Sequence, residues 1–173
     1  MSGANKYESQ YREQRGVCGE PFPEIASFFE SFDKQAARIL DLGCGQGRDA
    51  LMAARHGHYV LGVDSSKTGI RQMLEDAEAK KLDLEGIVAD LTEYVIEGSY
   101  DVIIIDRVLH MLEEEDRIRL LRQAVEHVAP DGFVLIADMP SNKPAFRVAF
   151  PESSRKWLAV LDKKGFLFMR RDG

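Results

Sequence analysis

Between residues 38 and 138 the chain alternates apolar runs of strand length with segments whose apolar positions recur every three or four residues. That alternation marks βαβ units, an α/β arrangement in which a mostly parallel sheet is covered by helices on both faces. Five strands are expected: Arg38 to Leu42, Tyr59 to Asp64, Leu84 to Ala89, Asp101 to Asp106 and Phe133 to Asp138. Between them the spacing predicts a helix opening near Arg48, a second with Ile70, Met73, Leu74 and Ala77 on one face, and a third with Ile118, Leu121, Val125 and Val128 on one face. Ser65 or Ser66 can cap the second helix. "EEED" at 113–116 puts negative charge at the positive end of the third, and "PDG" at 130–132 should end it with a turn. Upstream, Ile25, Phe28, Phe29 and Phe32 repeat at helical spacing behind Pro23, which suits a first turn, so a short helix is expected there, packing on the sheet or roofing a pocket. Downstream, "RKWLAVLDKKGFLFMRR" reads either as two strands around "DKKG" or as a helix followed by a strand; the glycine-containing turn favours the antiparallel hairpin.

Composition narrows the class. A chain of 173 residues suits one domain, and 45% hydrophobic with 30% charged residues is the balance of an ordinary soluble globular protein. The apolar runs "VIII" at 102–105 and "FVLIA" at 133–137 are far shorter than the ~20 residues a membrane helix requires. The polar start "MSGANKYESQ" shows no apolar core of a secretory signal, so the cytoplasm is the default compartment and no membrane partner is expected. Cys18 and Cys44 stand in no CxxC or Cys/His spacing, which points to neither a disulfide framework nor a zinc site and suits a reducing compartment. A net charge of −6 argues against bulk attraction to a nucleic-acid backbone. The charge is uneven: residues 151–173 carry six Lys/Arg against three acids, net +3, leaving −9 on the rest. A solvated edge-strand face accounts for this, and a patch for an anionic partner is the alternative.

The candidate chemistry begins in "ILDLGCGQGRDA", residues 39–50, where an apolar strand runs into Gly43, Gly45 and Gly47. Glycine serves where backbone must turn with positive φ or approach a ligand without a Cβ in the way. A strand, a glycine-rich turn and a helix N-terminus also form a place where backbone N–H groups can point at an electronegative ligand group. The dinucleotide fingerprint G-x-G-x-x-G fails, because Arg48 fills its last slot where the helix must pack closely. No Lys-Ser/Thr follows, so a P-loop fails too.

With its second strand, "VLGVDSS", the segment "DLGCGQG" resembles the S-adenosylmethionine-binding signature of class I methyltransferases, a Rossmann-like family with a seven-stranded sheet. The resemblance covers roughly residues 38–138 and implies a three-layer Rossmann-like sandwich closed by the antiparallel hairpin. It further implies one domain over 1–173: an N-terminal lid or entry helix in 1–37, a cofactor-binding core in 38–138, and a short C-terminal segment in 139–173. The glycine loop would wrap the methionine half of the cofactor. Asp64, 17 residues past Gly47, would take both ribose hydroxyls, for which a carboxylate has the acceptor capacity. Asp90 in "IVADL" would accept from the adenine amino group, with Leu91 in apolar and backbone contact, and Asp41 would hold the loop. "DVIIIDRVLHML", with Asp106 at its strand end, resembles the family segment that reaches past the methionine moiety into the substrate pocket. The cofactor-binding positions implied are thus Asp41, Gly43, Cys44, Gly45, Gly47, Asp64, Ser65, Asp90, Leu91 and Asp106. Singly, an Asp after a strand is often a turn former or cap. Together, at the ends of successive strands beside a glycine loop, these acids fall on the crevice where open α/β sheets bind ligands.

The expected activity is methyl transfer to a small-molecule acceptor by in-line displacement. The sulfonium methyl is already electrophilic, so the main task is positioning. A thiolate, selenide or reduced oxyanion needs no base; a hydroxyl or ammonium must lose a proton. His110 is the candidate base or pocket residue, with a helix-start residue satisfied by backbone as the plainer reading, and no role falls to His56, His58 or His127. The Asp/Asn-Pro-Pro-Tyr/Phe signature of amino-methyltransferases is absent after the fourth strand, two cysteines are few for an arsenite-type enzyme, and Asp138 followed by Met139 and Pro140 offers no metal cluster. The layout, with "GEPFPEIASFFESF" as the entry helix, is similar to the compact tellurite/thiopurine-type members. The segment Met139 to Lys156 is short for a substrate insertion, which keeps open a different class: a cofactor-binding module without catalysis of its own, completed by a partner. An oligomer is compatible with the apolar hairpin, but nothing in the sequence requires one.

Overall fold

In the computed structural model, which describes residues 3–151 and 155–173, each predicted strand forms. The strands follow the order β3-β2-β1 in the N-terminal part and β4-β5-β7-β6 in the C-terminal part. The chain divides into two compact units between Leu91 and Thr92.

The first unit carries β1 (Arg38–Leu42), β2 (Tyr59–Asp64) and β3 (Leu84–Val88), all parallel, with Arg38 opposite Tyr59 and Val60 opposite Leu84. Its helices are α1 (Gly3–Glu13), α2 (Pro23–Ser31), α3 (Arg48–Arg55) and α4 (Lys67–Ala79). The run "ILDL" becomes a strand buried on both faces, with Ile39, Leu40 and Leu42 at 0% exposure, as a continuous apolar run in a parallel sheet should. Ser66, not Ser65, caps α4, its hydroxyl accepting the Gly69 N–H at 2.9 Å. On α2, Ile25 and Phe29 are buried; Phe29 lies against the rings of His56 and His58, at the end of the unit where β2 begins.

The second unit carries β4 (Tyr100–Asp106) parallel to β5 (Val128–Ala137), then β7 (Phe166–Asp172) antiparallel to β5, and β6 (Lys156–Lys163) antiparallel to β7. The C-terminal segment is therefore the hairpin and not a helix. Helix α5 (Glu114–Glu126) buries Leu120, Leu121, Ala124 and Val125. Between β5 and β6 come a 3-10 turn at Pro140–Asn142, α6 (Lys143–Phe146) and a 3-10 turn at Arg147–Ala149; residues 152–154 of the Met139 to Lys156 segment lie outside the described residues.

Two details differ from expectation. Val128 belongs to β5, and "PDG" does not terminate α5, which already ends at Glu126 with His127 as its cap. It is instead a bulge inside β5: Tyr100 pairs with Val128 but Val102 with Phe133, and Asp131 takes φ 59 to absorb the extra residues. The other is α1, whose polar sequence carries no apolar stripe to announce a helix.

Candidate functional site

The glycine loop is the exit of β1. Gly43, Gly45 and Gly47 have φ of 78, 55 and 86°, a left-handed path that side chains with a Cβ rarely take. Four of its amides are taken up within the chain. Gly43 and Cys44 N–H both bond the Val63 carbonyl at 2.7 and 3.1 Å, Gly47 N–H bonds the Cys44 carbonyl at 2.8 Å, and Gly45 N–H bonds Asp64 Oδ2 at 2.9 Å. These four donors are therefore not free to cradle an electronegative group, contrary to what the strand–loop–helix pattern had led one to expect. The loop uses these donors to hold itself to β2, and what glycine supplies is the bare approach.

Close approach recurs around it. A Cβ on Gly47 would stand 2.4 Å from Met73 Cγ, one on Gly62 2.8 Å from Cys44 Sγ, and one on Gly69 2.7 Å from the Gly45 carbonyl oxygen. Cys44 is accordingly an inward packing residue whose thiol is pushed well above its ordinary pKa by burial, with the Asp41 and Asp64 carboxylates adding to the shift. Asp41 is buried at 2% exposure, within the strand.

Asp64 is the polar centre of this crevice. Oδ1 accepts the Ser66 N–H at 2.8 Å and Oδ2 the Gly45 N–H at 2.9 Å. A carboxylate has about four acceptor sites, so two, one per oxygen, remain beyond these bonds. Burial raises its pKa, the two backbone bonds oppose that rise, and the Glu8 carboxylate adds to it. An ion held this way is a strong acceptor for a pair of neighbouring hydroxyls. Ser65 is exposed beside it, Asp90 is exposed just after β3, and Leu91 is buried at 8%. These positions lie at the carboxyl ends of β1, β2 and β3 in one unit, as the joint reading of the acids requires.

Helix α1 covers the loop. Glu8 accepts from Ser66 Oγ, from Thr68 Oγ1 at 2.6 Å and from Thr68 N–H at 3.2 Å, so it occupies the N-terminus of α4. Those bonds hold its pKa down at about 2. Tyr11 stands over Gly45, its hydroxyl 2.5 Å from where a Cβ would be. Burial first, then the neighbouring Cys18 and Asp64, raise the Tyr11 phenol, so it stays protonated. The residues over the glycine loop thus come from α1, whereas the expected entry helix, α2, packs at the other end of the unit. Glu8, Tyr11, Gly62 and Gly69 were not singled out from the sequence; a glycine inside the helical pattern of α4 was the available signal for Gly69.

A separate cavity of about 130 Å³, lined by Arg15, Cys18, Gln46, Arg48 and Gln72 among others, lies behind the loop. It is smaller than the ~300 Å³ at which ligand pockets begin. Arg48 spans its rim, donating to the Cys18 carbonyl at 3.2 Å and lying over the Phe22 ring, which ties the α1–α2 connection to α3.

In the second unit Asp106 ends β4, buried at 7%. Arg107 then takes φ 59 and donates its N–H to the Ala137 carbonyl at 2.7 Å, turning the chain into the 3-10 turn Leu109–Met111. That turn sets His110 beside the end of β5, where Asp138 Oδ2 lies 3.2 Å from Nδ1 and 3.3 Å from the His110 backbone nitrogen. Asp138, passed over in the sequence as a lone acid, is therefore a partner of His110. Among the described residues no group of three His, Cys, Asp or Glu side chains could hold a metal ion, and no helix is long and apolar enough to cross a membrane.

Fold and crevice together define an α/β nucleotide-cofactor protein of the methyltransferase type. The comparisons take this one step further. Residues 39–132 match the family model of the methyltransferase domain, more than half of the chain, and the chain belongs to that family. It is 30% identical over 125 residues to the probable S-adenosyl-L-methionine-dependent methyltransferase TehB of Haemophilus influenzae, covering 69% of this chain and 43% of that one. To the 2-heptyl-1-hydroxyquinolin-4(1H)-one methyltransferase of Mycobacteroides abscessus it is 28% identical over 172 residues, covering 91% and 74%. Among solved structures, a TehB-like SAM-dependent methyltransferase from Corynebacterium glutamicum superposes with a TM-score of 0.73 at 21% identity, covering 98% of this chain and 97% of that one, which is a likeness of fold. The chain spans less than half the length of several curated relatives it matches, TehB of Haemophilus influenzae among them.

Proposed function

We propose that the chain is an S-adenosylmethionine-dependent methyltransferase acting on a small-molecule acceptor in the cytoplasm. The observation that carries this reading is Asp64, a half-buried carboxylate fixed by two backbone N–H groups at 2.9 and 2.8 Å with one acceptor site left on each oxygen, beside a loop whose glycines admit a ligand closely. Those features fit the cofactor: Asp64 would hold the ribose hydroxyls, the loop Gly43 to Gly47 would lie along the methionine half, and Asp90 and Leu91 would meet the adenine. When bound, the cofactor supplies a methyl group on a sulfonium, already activated for transfer. The chain's own residues bind and orient it, and α1, through Glu8 and Tyr11, keeps water from the loop. A small acceptor is favoured by the name of the Mycobacteroides relative, which acts on a hydroxyquinolone, and by an acidic surface that discourages nucleic acid. Two unpaired cysteines suit a reducing compartment.

The alternative, a binding module without catalysis, separates from this on turnover. Calorimetric titration with S-adenosylmethionine and S-adenosylhomocysteine, with NAD as control, should show micromolar binding of the first two alone. Release of S-adenosylhomocysteine with an acceptor then marks an enzyme. No binding by a folded sample sinks the reading.

A further inference from the structure

We propose that Glu8 is a specificity-determining residue: its carboxylate fills the anion seat at the start of α4, so that the crevice takes a nucleoside cofactor with free ribose hydroxyls and rejects one that carries a phosphate on them. The inference rests on the S-adenosylmethionine reading above and names what that same site excludes.

The seat is built and occupied. Glu8 Oε1 accepts from Thr68 Oγ1 at 2.6 Å, and Oε2 accepts from the Thr68 N–H at 3.2 Å and from the Ser66 hydroxyl. Ser66 Oγ already accepts the Gly69 N–H at 2.9 Å, which leaves its own proton for Glu8. Ser66 and Thr68 are 2% and 7% exposed, so water does not reach these donors in place of the carboxylate. Two hydroxyls and an amide at the positive end of a 13-residue helix are what a phosphate group uses when it binds at a helix start. Here a carboxylate of the same chain stands in that place, held ionised with its pKa down at about 2. Arg12 also pairs with Oε1, at 3.1 Å, but it is 71% exposed, so water screens most of that cation.

Ser66 joins this seat to Asp64. Its N–H bonds Asp64 Oδ1 at 2.8 Å while its hydroxyl serves Glu8, and the Glu8 charge is felt at Asp64, where it adds to the rise of that carboxyl's pKa. A ribose hydroxyl received by Asp64 therefore comes close to a second carboxylate. A free hydroxyl is a donor and gains from the negative charge around it. Its phosphate monoester has lost that donor, brings a charge of about −1.5 to −2, and finds the helix-start donors already taken. Asp64 alone accounts for the lost donor. Glu8 adds the repulsion and the blocked seat, a choice made by disfavouring the wrong ligand.

The test uses the full chain and calorimetric titration with adenosine, adenosine 2′-monophosphate and adenosine 3′-monophosphate. Wild type should bind both phosphates about 100-fold more weakly than adenosine, and in Glu8→Gln that gap should shrink about 10- to 100-fold. A role confined to docking α1 would shift all three affinities together. Equal wild-type affinities, or a gap unchanged in the variant, therefore overturn the proposal. A second readout needs no nucleoside. In ¹H–¹⁵N spectra the Thr68 and Gly69 amides of Glu8→Ala should move saturably with millimolar inorganic phosphate, while those of the wild type stay still; Glu8→Ser takes the place of Glu8→Ala if that variant does not fold. Equal phosphate shifts in wild type and variant, or none in the variant, show that Glu8 fills no anion seat and overturn the proposal. Failure of the wild type to bind S-adenosylmethionine would instead remove the methyl-transfer reading, and the phosphate titration would still decide the role of Glu8.

Discussion

Asp64 concentrates at one residue what the crevice has to do. Its oxygens hold the glycine loop and the start of α4 in place, and in the proposed function the same oxygens would receive the ribose hydroxyls. Asp64→Asn keeps one acceptor and loses the charge. S-Adenosylmethionine affinity should fall by about 1.5–3 kcal/mol, the worth of hydrogen bonds to a charged group, read as a 10- to 150-fold rise in calorimetric Kd. Gly47→Ala belongs to the same scale. At φ 86° and with Met73 Cγ 2.4 Å from the new methyl, the loop or the methionine must move. Thermal unfolding should show a loss of about 1–3 kcal/mol, as overpacking and a left-handed Cβ each require. The place of Asp64 beside the loop was legible because strand, glycine loop and acid lie within one short stretch of chain. The His110–Asp138 pair could not, since its members are 28 residues apart and meet only through the register of β4 on β5 and the turn that Arg107 begins.

Elements differ in how far their own sequences specify them. Strand β1 is a run of apolar residues and forms as such, whereas α1 is a polar helix held by docking: Glu8 on Ser66 and Thr68, Tyr11 on Gly45 and Gly69. No periodicity in "GANKYESQYRE" reveals partners that lie some 60 residues away, and that is why this helix escaped the pattern of apolar positions. The bulge in β5 escaped for a related reason, because Pro130 and Gly132 look like a stop until the pairing to β4 shows them accommodated within a strand. The Glu8 anchor is a carboxylate with its folded pKa lowered to about 2 from 4.5. A depressed carboxylate stabilises the docked state above its unfolded pKa, and that contribution fades as pH falls from about 4.5 toward 2. Hydrogen-exchange protection of α1 should therefore drop over that window relative to β1, and Glu8→Gln should show low protection at pH 7 already, with the extra acid sensitivity gone. Ser66→Ala tests the other side of the joint. Losing the cap of α4 together with a donor to Glu8 should lower stability by about 1–2 kcal/mol in urea unfolding.

At the scale of the whole molecule, the run of strands and helices from 38 to 138 was legible because a parallel sheet demands buried apolar strands at regular intervals. The C-terminal hairpin was legible through its turn, where Gly165 takes φ 80°. The place of each hairpin strand in the sheet was not, because nothing in "WLAVL" or "FLFM" says which of the two lies inside. β7 takes that place: Phe133 opposes Arg170 on one side while Lys156 opposes Asp172 on the other. This has a consequence in time. Strand β6 leaves β5 first along the chain yet has no ladder to join until β7 has arrived, so the order of assembly cannot follow the order of the sequence. The two strands should zip together locally, in the microseconds typical of hairpins, and then dock as a pair through β7. A substitution that slows the "DKKG" turn would delay closure of this edge and leave β5 exposed as a sticky border in the meantime.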